Sequence, residues 1–281
     1  MKDPSIPDLC LTKPTAIPYD QVTRFLWGDK VSGEVSDWVY VSSPKMHQIV
    51  FGMPSGGWFR HSEENKTIFG ADILYYVLEG MLAMSNPQTG EVHRVNAGEA
   101  IFFRKDTWHH GFSFGAEPVR VLEFFCPSPH AGTAQTYART KPNLTQLKYG
   151  QDPLLGRWPL AQKETSFTMR VLREADVLWR LEGDRQQVLV GILVSTEHFT
   201  IGKIRLLPGQ STGTRAHGGD LALYVLDGQM NVKLPEHDGP SWFEMKPKDG
   251  FFVPQGTRYE IHNIIGRPLE AMFGVAPQYL P

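Results

Sequence analysis

The chain reads as an all-β protein of two related barrels in tandem, and three observations predict this. The stretch Asp72-Ile-Leu-Tyr-Tyr-Val-Leu-Glu-Gly80 has a near-copy, Asp220-Leu-Ala-Leu-Tyr-Val-Leu-Asp-Gly228, which starts 148 residues later in a chain of 281. A repeat of about half the chain implies two related domains, not a stack of small units. Short apolar runs of four to eight residues, rich in β-branched and aromatic side chains, follow one another between turn signals. Glycine (27) and proline (21) are abundant enough to close such turns and to interrupt long helices.

The elements follow in order. Residues 1–40 read as a leader, because Pro4, Pro7, Pro14 and Pro18 prevent a long helix. A first barrel is expected over 41–127, starting near Trp38–Val41 and running through Gln48–Phe51, Ile73–Leu78, Met81–Met84, Val92–Val95, Ala100–Phe103 and Val119–Phe125. The polar, proline-bearing stretch 128–165 reads as a linker. The strand rhythm restarts in a second barrel over 166–281, with Val188–Val194, Phe199–Leu207, Leu221–Leu226, Met230–Leu234, Trp242–Met245, Gly250–Val253 and Leu269–Val275. Pro54 aligns with Pro208 and Asp106–His109 with Gly256–Tyr259, so the halves match beyond the opening motif.

Composition excludes several classes of function. A net charge of −2 from 28 basic and 30 acidic residues, with no basic run, argues against nucleic-acid and electrostatic membrane partners. No run of 18 apolar residues and no apolar leader is present, so a cytoplasmic protein is expected. Cys10 and Cys126 alone form neither a disulfide framework nor a thiolate metal cluster.

The two copies of the Tyr-Val-Leu-acid-Gly strand, with Asp249-Gly-Phe-Phe-Val-Pro-Gln-Gly256, resemble the two motifs of the cupin superfamily, and the pair resembles a bicupin. The resemblance implies two double-stranded β-helix (jelly-roll) barrels, each with an interior pocket and often a divalent metal held by three His and one Glu. In the second half the ligand positions fall on Arg215, His217, Leu221 and Tyr259. One usual ligand of four survives there, so Arg215, His217 and Tyr259 are expected to bind a polar or anionic small molecule without metal.

In the first half His109 takes the last His position, whereas the literal count puts Ile73 and Phe69 on two of the others. The segment Gly57-Trp-Phe-Arg-His61-Ser-Glu63 offers a substitute. His61, Glu63 and His109 would form a face of two His and one carboxylate suited to Fe, Mn, Zn or Ni. Arg60 or Arg104 would then orient a substrate anion.

Three functions stay open at this point. One is a metal-dependent oxygenase or lyase acting on an aromatic or carboxylate-bearing molecule. The second is a metal-independent isomerase or lyase, with His109 as base and Tyr76 or another tyrosine as acid. The third is a non-catalytic small-molecule binder. Pairing of exposed sheet edges leaves a homodimer open, and residues 62–70 are expected to line the first pocket or to cover it.

Overall fold

The computed structural model of the chain describes residues 11–128, 140–144, 147–151, 167–183 and 185–281. Most of the expected linker lies outside the described residues. Two compact units form, each built on a seven-stranded antiparallel sheet and a smaller one.

The first unit contains Arg24–Val39 and His47–Ala175. Its large sheet runs, from edge to edge, Met169–Leu172, Ala100–Phe103, Asp72–Glu79, Val119–Cys126, His47–Met53, Gly33–Ser42 and Arg24–Asp29. Its small sheet runs Trp58–Phe59, His110–Ser113, Met81–Ser85, Val92–Asn96. The second unit contains residues 11–23, Tyr40–Met46 and Asp176–Pro281. Its large sheet has the same order: Thr15–Ile17, Gly250–Val253, Asp220–Asp227, Leu269–Ala276, Thr200–Leu206, Val188–Ser195, Leu178–Glu182. Segments before each barrel thus supply the edge strand of the other repeat's sheet. The stretch read as a leader gives Thr15–Ile17 to the second sheet and Arg24–Asp29 to the first.

The repeated motif explains itself in these sheets. Asp72–Glu79 and Asp220–Asp227 are central strands, buried along almost their whole length. Each ends in a glycine with positive φ, Gly80 at 76° and Gly228 at 83°. A Cβ there would lie 2.6 Å from the Pro118 carbonyl oxygen or 2.5 Å from that of Pro268, so only glycine fits both turns. The repeated aspartates are structural as well. Asp72 Oδ1 accepts from the Lys105 backbone N–H at 3.1 Å, and Asp220 Oδ1 from that of Gln255 at 2.9 Å. Asp72→Ala is expected to cost about 1 kcal/mol by leaving that part-buried donor without its carboxylate partner. A fall in the urea midpoint would show this, and an unchanged midpoint would refute it.

The halves differ inside. The second barrel is filled with Val188, Val190, Ile204, Leu221, Leu223, Ile261, Phe273 and other apolar side chains. Register identifies the corresponding positions of the first barrel. Glu123 pairs with Ile49 and Tyr75, as Phe273 pairs with Gly202 and Leu223. Where the second barrel has phenylalanine and leucine, the first therefore has a carboxyl group and a phenol.

Candidate active site in the N-terminal barrel

The last motif position places His109 inside the first barrel. Its backbone N–H bonds the Thr67 carbonyl at 3.1 Å, as Tyr259 N–H bonds that of Arg215 at 2.9 Å in the second. The imidazole is buried within a wall of Phe59, Phe69, Tyr75 and Phe103. Its Nδ1 lies 3.0 Å from the Thr107 carbonyl and its Nε2 lies 3.2 Å from Tyr75 Oη. A carbonyl oxygen only accepts, so Nδ1 carries the proton and Nε2 is left to accept from the Tyr75 hydroxyl. Burial lowers the His109 pKa to about 4, which keeps the ring neutral near pH 7.

Glu123 is the partner of Tyr75 in register on the neighbouring strand, and the two side chains shift each other's pKa. With the phenol proton donated to His109, Tyr75 Oη is left as an acceptor, which a protonated Glu123 can serve. Desolvation foremost, then the neighbouring Asp37, holds Glu123 well above the usual carboxylate range. Desolvation raises Asp37 to about 8 although the residue is partly accessible, and the Tyr75 phenol is raised by burial and by Glu123 and Asp37. The barrel therefore encloses three neutral groups side by side: the Glu123 carboxyl, the Tyr75 hydroxyl and the His109 imidazole. Acids with raised pKa beside a base with lowered pKa make this a candidate functional site.

Several expected site residues sit elsewhere. His61, Glu63 and His109 do not meet: among the described residues their ligand atoms form no cluster within 4.8 Å. The strand that was to carry them is only Trp58–Phe59, so alternation fails beyond Phe59. Glu63 is exposed. His61 pairs instead with His110, Nδ1 to Nε2 at 2.5 Å, and its Nε2 faces the Leu144 carbonyl at 3.2 Å. His110, next to His109 and pointing the other way, reaches Tyr149 Oη at 2.9 Å through Nδ1.

Arg60 belongs to this second cluster. Burial foremost, with a smaller contribution from Arg60, lowers His61 and His110, while Arg60 Nε donates to the Val31 carbonyl at 3.0 Å. Arg104 lies 3.3 Å from Asp72, half-exposed, and serves the turn it belongs to rather than the interior. Tyr76 is buried in the register slot beside Ala100 and Leu122, one residue out of phase with these groups, so Tyr75 is the tyrosine that reaches His109. Residues 62–70 do not act as one: Ile68 is buried with Trp108, and Thr67 bonds His109.

In the second barrel His217, Tyr259 and Arg215 do gather. His217 Nε2 lies 2.7 Å from Tyr259 Oη, but Arg215 is already engaged with Glu182 at 3.0 Å, so it is not an open fork for an anion.

A metal does not fit the motif positions of either barrel. The first offers Thr67, Phe69, Ile73 and His109, and the second Arg215, His217, Leu221 and Tyr259. Each set has one imidazole; the first adds two apolar side chains, and the second one apolar and one cationic. The Asp37, Tyr75 and Glu123 positions escaped the sequence reading. Glu123 had a visible signal, an acid on the same strand face as Val121 and Phe125.

With two jelly-roll barrels of matching strand order, the chain has the tandem cupin fold. Solved structures with this fold include a point variant of oxalate decarboxylase from Bacillus subtilis, with TM-score 0.63 and 13% identity over 99% of this chain and 80% of that one. A putative glyoxylate-induced protein from Pseudomonas aeruginosa matches with TM-score 0.67 and 14% identity, over 98% and 92% of the two chains. AerE from Microcystis aeruginosa matches with TM-score 0.59 and 8% identity, over 91% and 97%. No protein-family model and no curated protein matches the sequence. Among the described residues no helix is long and apolar enough to cross a membrane.

Proposed function

We propose that the chain is a cupin-fold enzyme that moves protons on a small organic molecule, as an isomerase or a lyase, with its chemistry in the N-terminal barrel. The observation that carries this reading is Tyr75 Oη at 3.2 Å from His109 Nε2, with the buried Glu123 carboxyl as the strand partner of Tyr75; we read the three as a proton relay. A substrate oxygen or carbon that gains charge in the reaction takes the Tyr75 proton, and Glu123 restores it. Neutral His109, held in one tautomer by Thr107, accepts a proton through Nε2, whose lone pair is freed as the Tyr75 proton passes to the substrate. The aromatic wall excludes water and favours a flat or apolar substrate body.

Solved structures of oxalate decarboxylase include work on its Mn(II) centres. A comparable centre in this chain would need donors that Thr67, Phe69, Ile73, Arg215 and Leu221 do not supply, so no step here is routed through a metal.

Exchange of the C3 protons of 2-oxo acids in deuterated water, followed by NMR, tests this reading. Pyruvate, 2-oxobutyrate and phenylpyruvate are suitable probes. The protein is expected to speed exchange or elimination in at least one of them, and excess chelator should leave the rate unchanged. Catalysis that disappears with chelator and returns with Mn, Fe, Zn or Ni would overturn the metal-free reading.

A further inference from the structure

The interior of the second barrel carries a site of its own, and one residue of the chain already lies in it. Beyond the strand Leu269–Ala276, residues Pro277, Gln278, Leu280 and Pro281 are exposed, and Tyr279 alone turns inward. Its ring lies against His217 at 4.8 Å and Phe273 at 5.6 Å between centroids. Its hydroxyl donates to Glu182 Oε2 at 3.0 Å, and its carbonyl oxygen accepts from His217 Nδ1 at 2.5 Å. Around it stand Val190, Ile204, Leu223 and Ile261, and the space left over is about 10 Å³. That is roughly the room one water needs.

Two polar groups of this site, Glu182 and His217, are matched to parts of a tyrosine, while Arg215 pairs with Glu182 and Tyr259 with His217. Glu182 takes a phenol proton, His217 and Phe273 take the flat ring, and His217 Nδ1–H takes an oxygen at the far end. Glu182 Oε1 has no hydrogen-bond donor, with Arg180 Nε 3.7 Å away, so the carboxylate has acceptor capacity to spare. The segment that brings Tyr279 in is held lightly: Leu280 is 62% exposed, and among the described residues the one other backbone tie is Gly218 N–H to the Leu280 carbonyl at 3.1 Å.

We propose that the second barrel binds a small molecule with a 4-hydroxyphenyl ring joined by a short chain to a carbonyl or carboxylate, in the space Tyr279 fills. Tyr279 is then an internal competitor that leaves when the ligand enters. The ligand's hydroxyl takes over Glu182, its ring lies between His217 and Phe273, and its acid oxygen accepts from His217. Arg215 stays paired with Glu182 and balances its charge.

Titration calorimetry on the full chain tests this, with 3-(4-hydroxyphenyl)propionate as probe and its 3-phenyl and 3-cyclohexyl counterparts as controls. Tyr279→Ala, checked for native circular dichroism, is expected to bind the probe at least tenfold more tightly than the unaltered chain. Loss of the ligand hydroxyl should cost at least tenfold, and adding Glu182→Gln should erase that preference. Should Tyr279→Ala fail to fold, the unaltered chain still decides. Saturating probe should then quicken deuterium uptake at the Gly218 amide and over residues 277–281.

Equal binding of the cyclohexyl control by Tyr279→Ala would reduce the site to a hole left by a deleted ring and overturn the proposal. So would no binding by a folded variant, or uptake unmoved by millimolar probe. None of these readouts depends on turnover, so their failure leaves the reading of the first barrel standing.

Discussion

His109→Ala, Tyr75→Phe and Glu123→Gln are each expected to lower the rate of proton exchange on a 2-oxo acid by about 10²- to 10⁴-fold, the usual worth of a positioned acid or base. The three should fail differently. Tyr75→Phe removes the hydroxyl that joins the other two, so neither Glu123 nor His109 can substitute for it. Glu123→Gln keeps a donor against Tyr75 Oη but no transferable proton, so kcat should fall while KM holds. His109→Ala removes the neutral base and opens a void beside Phe59 and Phe103, so KM is expected to move as well.

In the unaltered chain the rate should decline on the alkaline side as the raised acids ionise, with Asp37 at about 8 among them. It should also decline in acid as His109 titrates near 4. Double variants should be no worse than the poorest single variant, because the groups act as one unit. If Glu123→Gln and Tyr75→Phe both retain the full rate, the relay is not the machinery and the chemistry lies elsewhere.

The second large effect is on stability, and its sign changes with pH. Glu123 and Asp37 have folded pKa values above their unfolded ones, so the native state holds protons that the unfolded state releases. Their contribution is whole below about pH 4 and is lost as pH rises, by up to about 1.4 kcal/mol per pH unit for each group. His109 at about 4 and His110 at about 2 lie below their unfolded value of 6.5, chiefly through burial. Their contribution is whole above pH 6.5 and is lost as pH falls.

Between pH 4.5 and 6.5 the two sets oppose one another, so the unaltered chain should show a shallow pH profile. Asp37→Asn should be stabilising relative to it by about 2 kcal/mol at pH 8, and by little at pH 4. His110→Gln should show the reverse trend, gaining up to about 2 kcal/mol relative to the unaltered chain on going from pH 6.5 to 4.5. Urea unfolding at four pH values would measure both slopes. Parallel profiles for both variants and the unaltered chain would show that these groups ionise alike in the folded and unfolded states.

Gain of stability at Asp37 with loss of activity at its neighbours is the signature of a site built at the expense of packing. The second barrel shows the alternative. Phe273 and Leu223 fill there what Glu123 and Tyr75 occupy here.

The repeat of Asp72–Gly80 at Asp220–Gly228 was enough to fix two barrels, because its strand pattern and its turn glycine each have one structural use. Alternation along the central strands is local physics, so His109 could be placed inside from its motif position. The same alternation carries Val121, Glu123 and Phe125 on one face, and Tyr75 rather than Tyr76 toward His109. Those assignments were within reach of the sequence.

Alternation stops being informative where a strand ends. Past Phe59 the chain leaves the sheet, and only tertiary structure decides that His61 meets His110 and Leu144 while Glu63 stays in solvent. The sequence by itself determined the two-barrel fold, the motif positions and the lack of a full ligand set at them, since these depend on residue type and short-range periodicity. The tertiary structure decided which groups meet in the first barrel and that Tyr279 enters the second. Both depend on contacts between segments far apart in the chain, and on burial that moves pKa values only once those segments are packed.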